Sequence, residues 1–210
     1  YLRTLNLLGA GRTGVIGSLL SPFVILVSAI YLGERLSHGQ WGGFALVMAG
    51  ILVVTLKRYR SEIAPETLRL GLVIGVAAMA TMAVGVVMVK PLLEQGPFFW
   101  VITVRLAGGV AAQLLVLGGR RSWTRTLAIY RSPQPWAMTL FACFLGGFAG
   151  SVLWLAGYML IPASEASIYN EAQVIFLVLF AWWFLREPLD LRKALGVALT
   201  LAGVLTMLLV

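Results

Sequence analysis

The chain is written as long apolar runs separated by short polar connections, and this alternation constrains its fold more than any other feature. Runs with punctuated ends cover 13–32, 41–56, 68–89, 98–118, 136–161, 166–185 and 194–210. Most approach the ~20 residues that a helix needs to cross the hydrocarbon core of a bilayer. With 60% hydrophobic and only 11% charged residues, a water-soluble fold could not bury this much apolar surface, whereas a lipid-facing bundle requires it. Every run is too long for a half-buried strand, and none alternates as outer-membrane barrel strands do. The expected fold is therefore an all-α integral membrane protein, a multi-span helical bundle with seven spans. The runs at 41–56 and 194–210 are short enough to require tilt or local thinning of the bilayer.

A formal net charge of +8 invites a nucleic-acid reading, but the basic residues are neither a block nor interleaved with exposed aromatics. They sit between spans. Taken by alternate connections, one side holds Arg12; Lys57, Arg58, Arg60, Arg69; Arg120, Arg121, Arg125, Arg131; and Arg186, Arg192, Lys193, while the other holds Arg35 and Lys90. Twelve against two is the asymmetry that the positive-inside rule produces, so the arginine-rich side is expected to be cytoplasmic, and no nucleic-acid partner is needed. Membrane lipid is the expected surroundings, and a bacterial inner membrane the expected location. The lone Cys143 lies mid-span and reads as a small apolar packing residue.

An internal repeat organises the chain. The stretch "LGERLSHGQWGGFALVMAGIL" (32–52) aligns without a gap with "LREPLDLRKALGVALTLAGVL" (185–205) at an offset of 153, with nine identities in 21 positions. Roughly three would be expected from ordinary residue usage. The offset also aligns 1–10 with 154–163, through Leu2/Leu155, Leu7/Leu160 and Ala10/Ala163. Equivalent helices are then the first and sixth spans, an odd step that reverses orientation in the membrane. Inverted-topology repeats of this kind are used by many secondary transporters to build a central site that opens alternately to each side. The second repeat, 61–210, holds five helices, and 1–60 corresponds to the end of the third helix with the fourth and fifth. A start at Tyr1 then implies a chain lacking its first helices, and a full protein of ten.

The residues also resemble a known family. A helix with Pro22, a Leu-Gly-Glu end at 32–34 and the glycine-rich "GGFALVMAGILVV" look like the fourth and fifth helices of an EamA-type repeat of the drug/metabolite transporter superfamily. Residues 70–210 look like a complete second copy, with "VRLAGG" around Arg105 and "FLREPL" near the end. The helix at 166–185 departs by lacking a proline equivalent to Pro22. The resemblance implies a transporter of small molecules, with no substrate indicated by these structural motifs.

Several conspicuous residues have an architectural reading. Glu34 and Glu187 recur at helix ends beside Ser37 and Asp190, which can N-cap the next helix, and Gln40 completes a capping box with Ser37. Both glutamates are read as turn chemistry, and His38 as a solvated residue of the same connection. With no second histidine or nearby cysteine, no metal and no cofactor are expected. Gly43 and Gly50, like Gly196 and Gly203, lie seven apart on one helix face, where small residues let membrane helices approach. Gly71/Gly75 and Gly146/Gly150 are read the same way.

Polar residues inside spans carry the functional expectation, because ionisable groups in a bilayer are costly and face the bundle interior. Arg105 falls about seven residues into a helix beginning near 98, and Glu171 about five into one beginning near 166, roughly 10 Å and 8 Å below the same surface. They could pair, structurally or around a solute. Gly147, Ser151, Trp154 and Tyr158 form a stripe on the adjoining helix, and Ser167, Asn170 and Gln173 flank Glu171. The expected substrate site is Arg105, Trp154, Tyr158, Asn170, Glu171 and Gln173. Trp154 and Tyr158 would receive an amphipathic solute, and Glu171 would attract a cationic group or exchange a proton. Against this stand a structural Arg105–Glu171 ion pair, a favourable helix N-terminus for Glu171, and interfacial anchoring for Trp154 and Tyr158 near a span end.

The leading functional expectation is a secondary transporter exporting small metabolites or amphipathic, cationic compounds by alternating access, with proton coupling through Glu171. An intramembrane enzyme is disfavoured. Glu165 and Glu171 lie about 240° apart around a helix and form no carboxylate dyad. A non-transporting scaffold is the remaining alternative; it would not need buried charges. No Gly-Lys-Ser/Thr nucleotide loop is present in the sequence, so an ion or solute gradient would supply the energy.

Overall fold

The computed structural model describes residues 2–55, 64–119, 135–184 and 191–209. In order they form α1 (Leu2–Gly17), α2 (Leu20–Tyr31), α3 (His38–Thr55), α4 (Pro65–Gln95), α5 (Phe98–Gly119), α6 (Trp136–Ala142), a π-helical segment (Cys143–Ala149), α7 (Gly150–Leu160), α8 (Ala163–Asn170), α9 (Gln173–Phe184) and α10 (Leu191–Leu208). There is no strand among the described residues. The stretches Pro65–Gln95, Phe98–Gly119 and Trp136–Leu160 are long and apolar enough to cross a membrane, and Leu20–Tyr31, His38–Val53 and Ala194–Leu208 are shorter apolar helices. This is an all-α membrane protein. Glu187, Asp190 and most of the loop arginines and lysines lie outside the described residues.

The helices differ from the sequence expectation where backbone hydrogen bonding is interrupted. The first apolar run is not one helix. It breaks at Ser18–Leu19, and the sixth breaks at Glu171–Ala172, the same position under the offset of 153. Leu19 N–H donates to the Ile16 carbonyl at 3.1 Å and Ala172 N–H to the Tyr169 carbonyl at 3.0 Å, three residues back in each case. Pro22 lies in the first turn of α2, where a missing N–H costs nothing. Ile175 at the aligned position instead donates to Ala172 at 2.9 Å, so the break does not depend on a proline. Further along, α4 continues through Pro91 to Gln95. Lys90 is therefore a buried helical residue and not a loop cation.

The chain divides into two compact units, Tyr1–Val89 with Ile161–Val210, and Lys90–Leu160. In the first, Ile25, Val47, Ile51, Ile168 and Met207 form a core from α2, α3, α8 and α10, with Phe44, Met48, Tyr169 and Val204 packed on it. Apolar burial drives little between helices already in lipid, so close backbone approach decides the packing. The most intimate contact is the antiparallel pair α3–α10, where Gly43 lies against Gly203 and Gly50 against Gly196. Adding 153 to the α3 number and subtracting it from the α10 number converts the first contact into the second. Val47 against Gly203 likewise becomes Gly50 against Thr200, and both contacts are present. On α4, Gly71 receives Leu8, and Gly75 receives Ile16 and Thr4 of α1.

The connection between α2 and α3 is built as its residues suggest. Gly33 adopts φ 69°, a left-handed conformation natural to glycine, and ends α2. Ser37 and Gln40 form the capping box, with Gln40 N–H on Ser37 Oγ at 3.2 Å and Ser37 N–H on Gln40 Oε1 at 2.8 Å. Glu34 does more than shape its own turn. Its carboxylate accepts from Ala163 N–H and Ser164 N–H, both at 2.8 Å, and from Ser164 Oγ–H at 2.7 Å, so it caps the N-terminus of α8. At the other end of the bundle, Arg192 Nε donates to the Val53 carbonyl at 2.5 Å in the last turn of α3.

In the second unit α5, α6, the π-helical segment and α7 turn large apolar side chains outward, among them Leu115, Phe141, Phe144 and Leu153, as lipid-facing helices do. The widened π turn at Cys143–Ala149 separates α6 from α7. Here the glycine reading needs correction. A Cβ on Gly146 would meet nothing within 4 Å, and one on Gly150 meets only the Leu145 carbonyl of its own helix at 3.3 Å. Cys143 is exposed, not packed in a core as its apolar surroundings implied.

Candidate functional site

Two polar clusters arise, one in each unit. In Lys90–Leu160, α5 carries Arg105 and α7 carries Trp154 and Tyr158. The Arg105 guanidinium carbon lies 5.1 Å from the Trp154 ring centroid, a cation–π seat. Trp154 and Tyr158, four apart on α7, meet edge to face with centroids 5.0 Å apart and planes at 71°. Tyr158 is almost wholly buried at 1% exposure. It therefore backs the Trp154 ring, while Trp154 is half-buried and Arg105 exposed. Arg105 makes no hydrogen bond and no ion pair among the described residues. Ser151 donates to the Gly147 carbonyl at 2.5 Å and continues the stripe toward the π segment.

Lys90 supplies a second cation to this unit. Its Nζ donates to the Tyr158 carbonyl at 3.0 Å and pairs with Glu94 Oε1 at 2.8 Å. The residue four beyond Tyr158 is Pro162, which has no N–H, so the donor that a continuing α-helix would supply at that position is missing. Lys90 fills the vacancy and neutralises part of the negative end of α7. The sequence carried this signal in the pairing of a lysine inside "VVMVKPLLEQ" with a proline after "LWLAGYMLI", but neither points to the other without the fold.

The other cluster belongs to the first unit. Glu171 is 4% exposed, Ser21 1% and Ser167 1%. Because α8 starts at Ala163, directly after Pro162, Glu171 is its C-cap and not a residue near a helix N-terminus. The favourable dipole expected from α8 is therefore reversed, and only the following start of α9 offsets it. Ser21 Oγ lies 2.7 Å from Glu171 Oε1 and 2.9 Å from the Ser167 carbonyl. Ser167 Oγ in turn donates to the Ser164 carbonyl at 2.7 Å. Ser21 was missed at the sequence level because a serine beside Pro22 reads as part of a helix start.

Asn170 ends α8 and Gln173 begins α9, so these two flank a break and do not form a continuous polar arc. Gln173 is exposed where Glu171 is buried. Glu165, six residues before Glu171 on α8, accepts from Gln40 Nε2 at 2.8 Å. The structure thus brings Arg105, Trp154 and Tyr158 together in one unit, and Glu171 with Ser21 and Ser167 in the other.

Long apolar helices that hold buried ionisable groups are the mark of an integral membrane protein. Residues 69–209 match the EamA-like transporter family, and the chain belongs to that family. It is 23% identical over 203 residues to an uncharacterized transporter, YvbV, of Bacillus subtilis (strain 168), covering 95% of this chain and 63% of the relative. It is 28% identical over 204 residues to a probable terminal-alkyne amino-acid exporter of Streptantibioticus cattleyicolor, covering 93% and 63%. An uncharacterized transporter of Archaeoglobus fulgidus is 24% identical over 201 residues, covering 94% and 67%. The chain spans about 63% of the length of the first two relatives.

Proposed function

We propose that the chain forms the greater part of a secondary transporter in a bacterial inner membrane, exporting small amphipathic metabolites by alternating access. Residues 1–60 are the end of one five-helix repeat and 61–210 a complete second repeat of inverted topology. The reciprocal glycine contacts of α3 and α10, and the helix break shared at 18–19 and 171–172, support that organisation.

The observation that carries the reading is Arg105. A guanidinium within a membrane-spanning helix, seated on Trp154 and paired with no carboxylate among the described residues, is suited to a carboxylate of a solute whose apolar part lies on the indole. The relative named as a probable amino-acid exporter supports a solute of this kind. Glu171 exchanges the proton that drives export, and its near-complete burial keeps that exchange from bulk water.

The test is transport of amino acids, sugars and organic cations in vesicles containing the full-length protein, with and without a pH gradient. Selective transport of carboxylate-bearing amphipaths, stimulated by the gradient and uncoupled from it by Glu171→Gln, is the expected result. A flat response across the panel overturns the transport reading.

A further inference from the structure

We infer that Ser21 and Glu171 form a proton-counting latch on the broken helix, in which a protonated Glu171 donates to Ser21 Oγ while Ser21 donates to the Ser167 carbonyl. The inference rests on the proposed role of Glu171 as the proton-exchanging group, and adds a residue, a direction for each hydrogen bond and a consequence for the backbone.

The argument is a count of hydrogens. Ser21 Oγ is within bonding distance of two acceptors, Glu171 Oε1 at 2.7 Å and the Ser167 carbonyl at 2.9 Å. A serine hydroxyl has one hydrogen and two lone pairs, and a carbonyl has no hydrogen to give. Both bonds form at full strength only if the carboxyl brings a hydrogen of its own. All three groups are buried, so water is poorly placed to supply the missing one.

The carbonyl matters because of where it lies. Glu171 N–H bonds the Ile168 carbonyl at 3.0 Å, three residues back. Ser167 therefore does not receive the donor four residues ahead that a continuing α-helix would supply, and Ser21 from α2 takes that place. When Glu171 loses its proton, the single Ser21 hydrogen is drawn to the carboxylate and the Ser167 carbonyl is released. Proton loss at the carboxyl thus leaves Ser21 bound to Glu171 alone and frees the carbonyl in the last turn of α8, loosening the backbone at the break between α8 and α9. Other ionisable side chains on the surrounding elements are Glu165 and Tyr169 on α8, Tyr31 at the end of α2, His38 at the start of α3, Arg3 and Arg12 on α1, and Arg192 and Lys193 in the first turn of α10, with none on α9. Glu165 is engaged by Gln40 and Arg192 by the Val53 carbonyl, and no hydrogen bond or ion pair joins Glu165, Tyr169 or Tyr31 to Glu171.

The experiment uses infrared difference spectroscopy and amide hydrogen exchange on the full-length protein in lipid. At neutral pH the wild type is expected to show a protonated-carboxyl C=O band that Glu171→Gln abolishes. Ser21→Ala moves the band to higher frequency, because the acid loses its acceptor, and Ser21→Thr restores its position. If Ser21→Ala fails to fold, Ser21→Cys, a weaker acceptor, shifts the band in the same direction. Exchange across 168–175, corrected for intrinsic chemistry, rises at least about tenfold as the band is lost on raising the pH, in line with an unsatisfied carbonyl. In Glu171→Gln, whose amide still donates to Ser21, exchange stays low at every pH. Absence of the band, a band unmoved at Ser21, or pH-independent exchange in the wild type overturns the latch. Band and shift without gradient-driven transport leave the latch standing and defeat the coupled-export reading. Coupled transport without the band does the reverse.

Discussion

Gly43 and Gly203 each occupy the space the other's side chain would need. A Cβ on Gly43 would lie 2.7 Å from the Gly203 carbonyl, and one on Gly203 would lie 2.6 Å from the Gly43 carbonyl and 2.7 Å from Val47 N. These are backbone atoms, so neither helix can yield without moving apart. Gly43→Ala and Gly203→Ala are each expected to destabilise the protein by about 1–3 kcal/mol, the usual cost of overpacking. The double variant should cost less than the sum, since one separation relieves both contacts. Gly42→Ala, where a Cβ meets nothing within 4 Å, is the control and should be neutral or stabilising by up to about 1 kcal/mol. Thermal unfolding in detergent reads all four.

Glu34 links one end of α2 to the start of α8 by three hydrogen bonds to a single carboxylate. Charge-assisted bonds at a helix N-terminus are worth more than neutral ones. Glu34→Ala should lower stability by about 2–3 kcal/mol and Glu34→Gln by about half that, because the amide keeps one acceptor oxygen and loses the charge. Equal losses for the two variants, in the same unfolding assay, would show that the charge contributes nothing.

How far the sequence was legible follows from the range of each signal. Apolar runs and aligned glycines are local or repeated patterns, so the helical membrane fold and the α3–α10 seam could be read from spelling alone. The capping box at Ser37 and Gln40 spans four residues and was equally plain. Glu34 was harder: its turn was visible, but its three donors lie about 130 residues away on α8. The breaks at Ser18–Leu19 and Glu171–Ala172 left no breaker residue to see, for only one copy has a proline nearby, and hydropathy cannot register a changed hydrogen-bond step. Lys90 was misplaced because a lysine followed by proline reads as a loop, while Pro162 elsewhere in the chain creates the vacancy that holds it in a helix. Depth along its span makes Arg105 legible and helical spacing makes Trp154 so, but neither reveals that Tyr158 is buried behind Trp154.

Lys90 should prove structural. Lys90→Met removes a donor to the Tyr158 carbonyl, and loss of that bond is expected to cost about 0.5–1.5 kcal/mol. Pro162→Ala restores an N–H four residues beyond Tyr158, so it should lessen the loss when combined with Lys90→Met although it is unfavourable or neutral alone. A double-mutant cycle on unfolding free energies measures this coupling. Additive effects would mean that Pro162 does not create the vacancy.

Arg105 should separate binding from stability. It holds no hydrogen bond or ion pair among the described residues, only the face of Trp154 at 5.1 Å, so Arg105→Lys should change stability by no more than about 1 kcal/mol, the worth of an open cation–π contact. A lysine cannot grip a carboxylate through two parallel N–H groups, and a loss of about 1.5–3 kcal/mol in solute binding corresponds to a KM about ten- to hundredfold higher for carboxylate-bearing solutes. Trp154→Phe keeps an aromatic face and should raise KM severalfold, whereas Trp154→Ala removes both the cation's seat and the apolar surface and should exceed it. Methyl-ester analogues of the same solutes have no carboxylate to lose, so their KM should be insensitive to Arg105→Lys. Equal effects on acid and ester would place Arg105 in the packing of α5 against α7 and not in solute recognition.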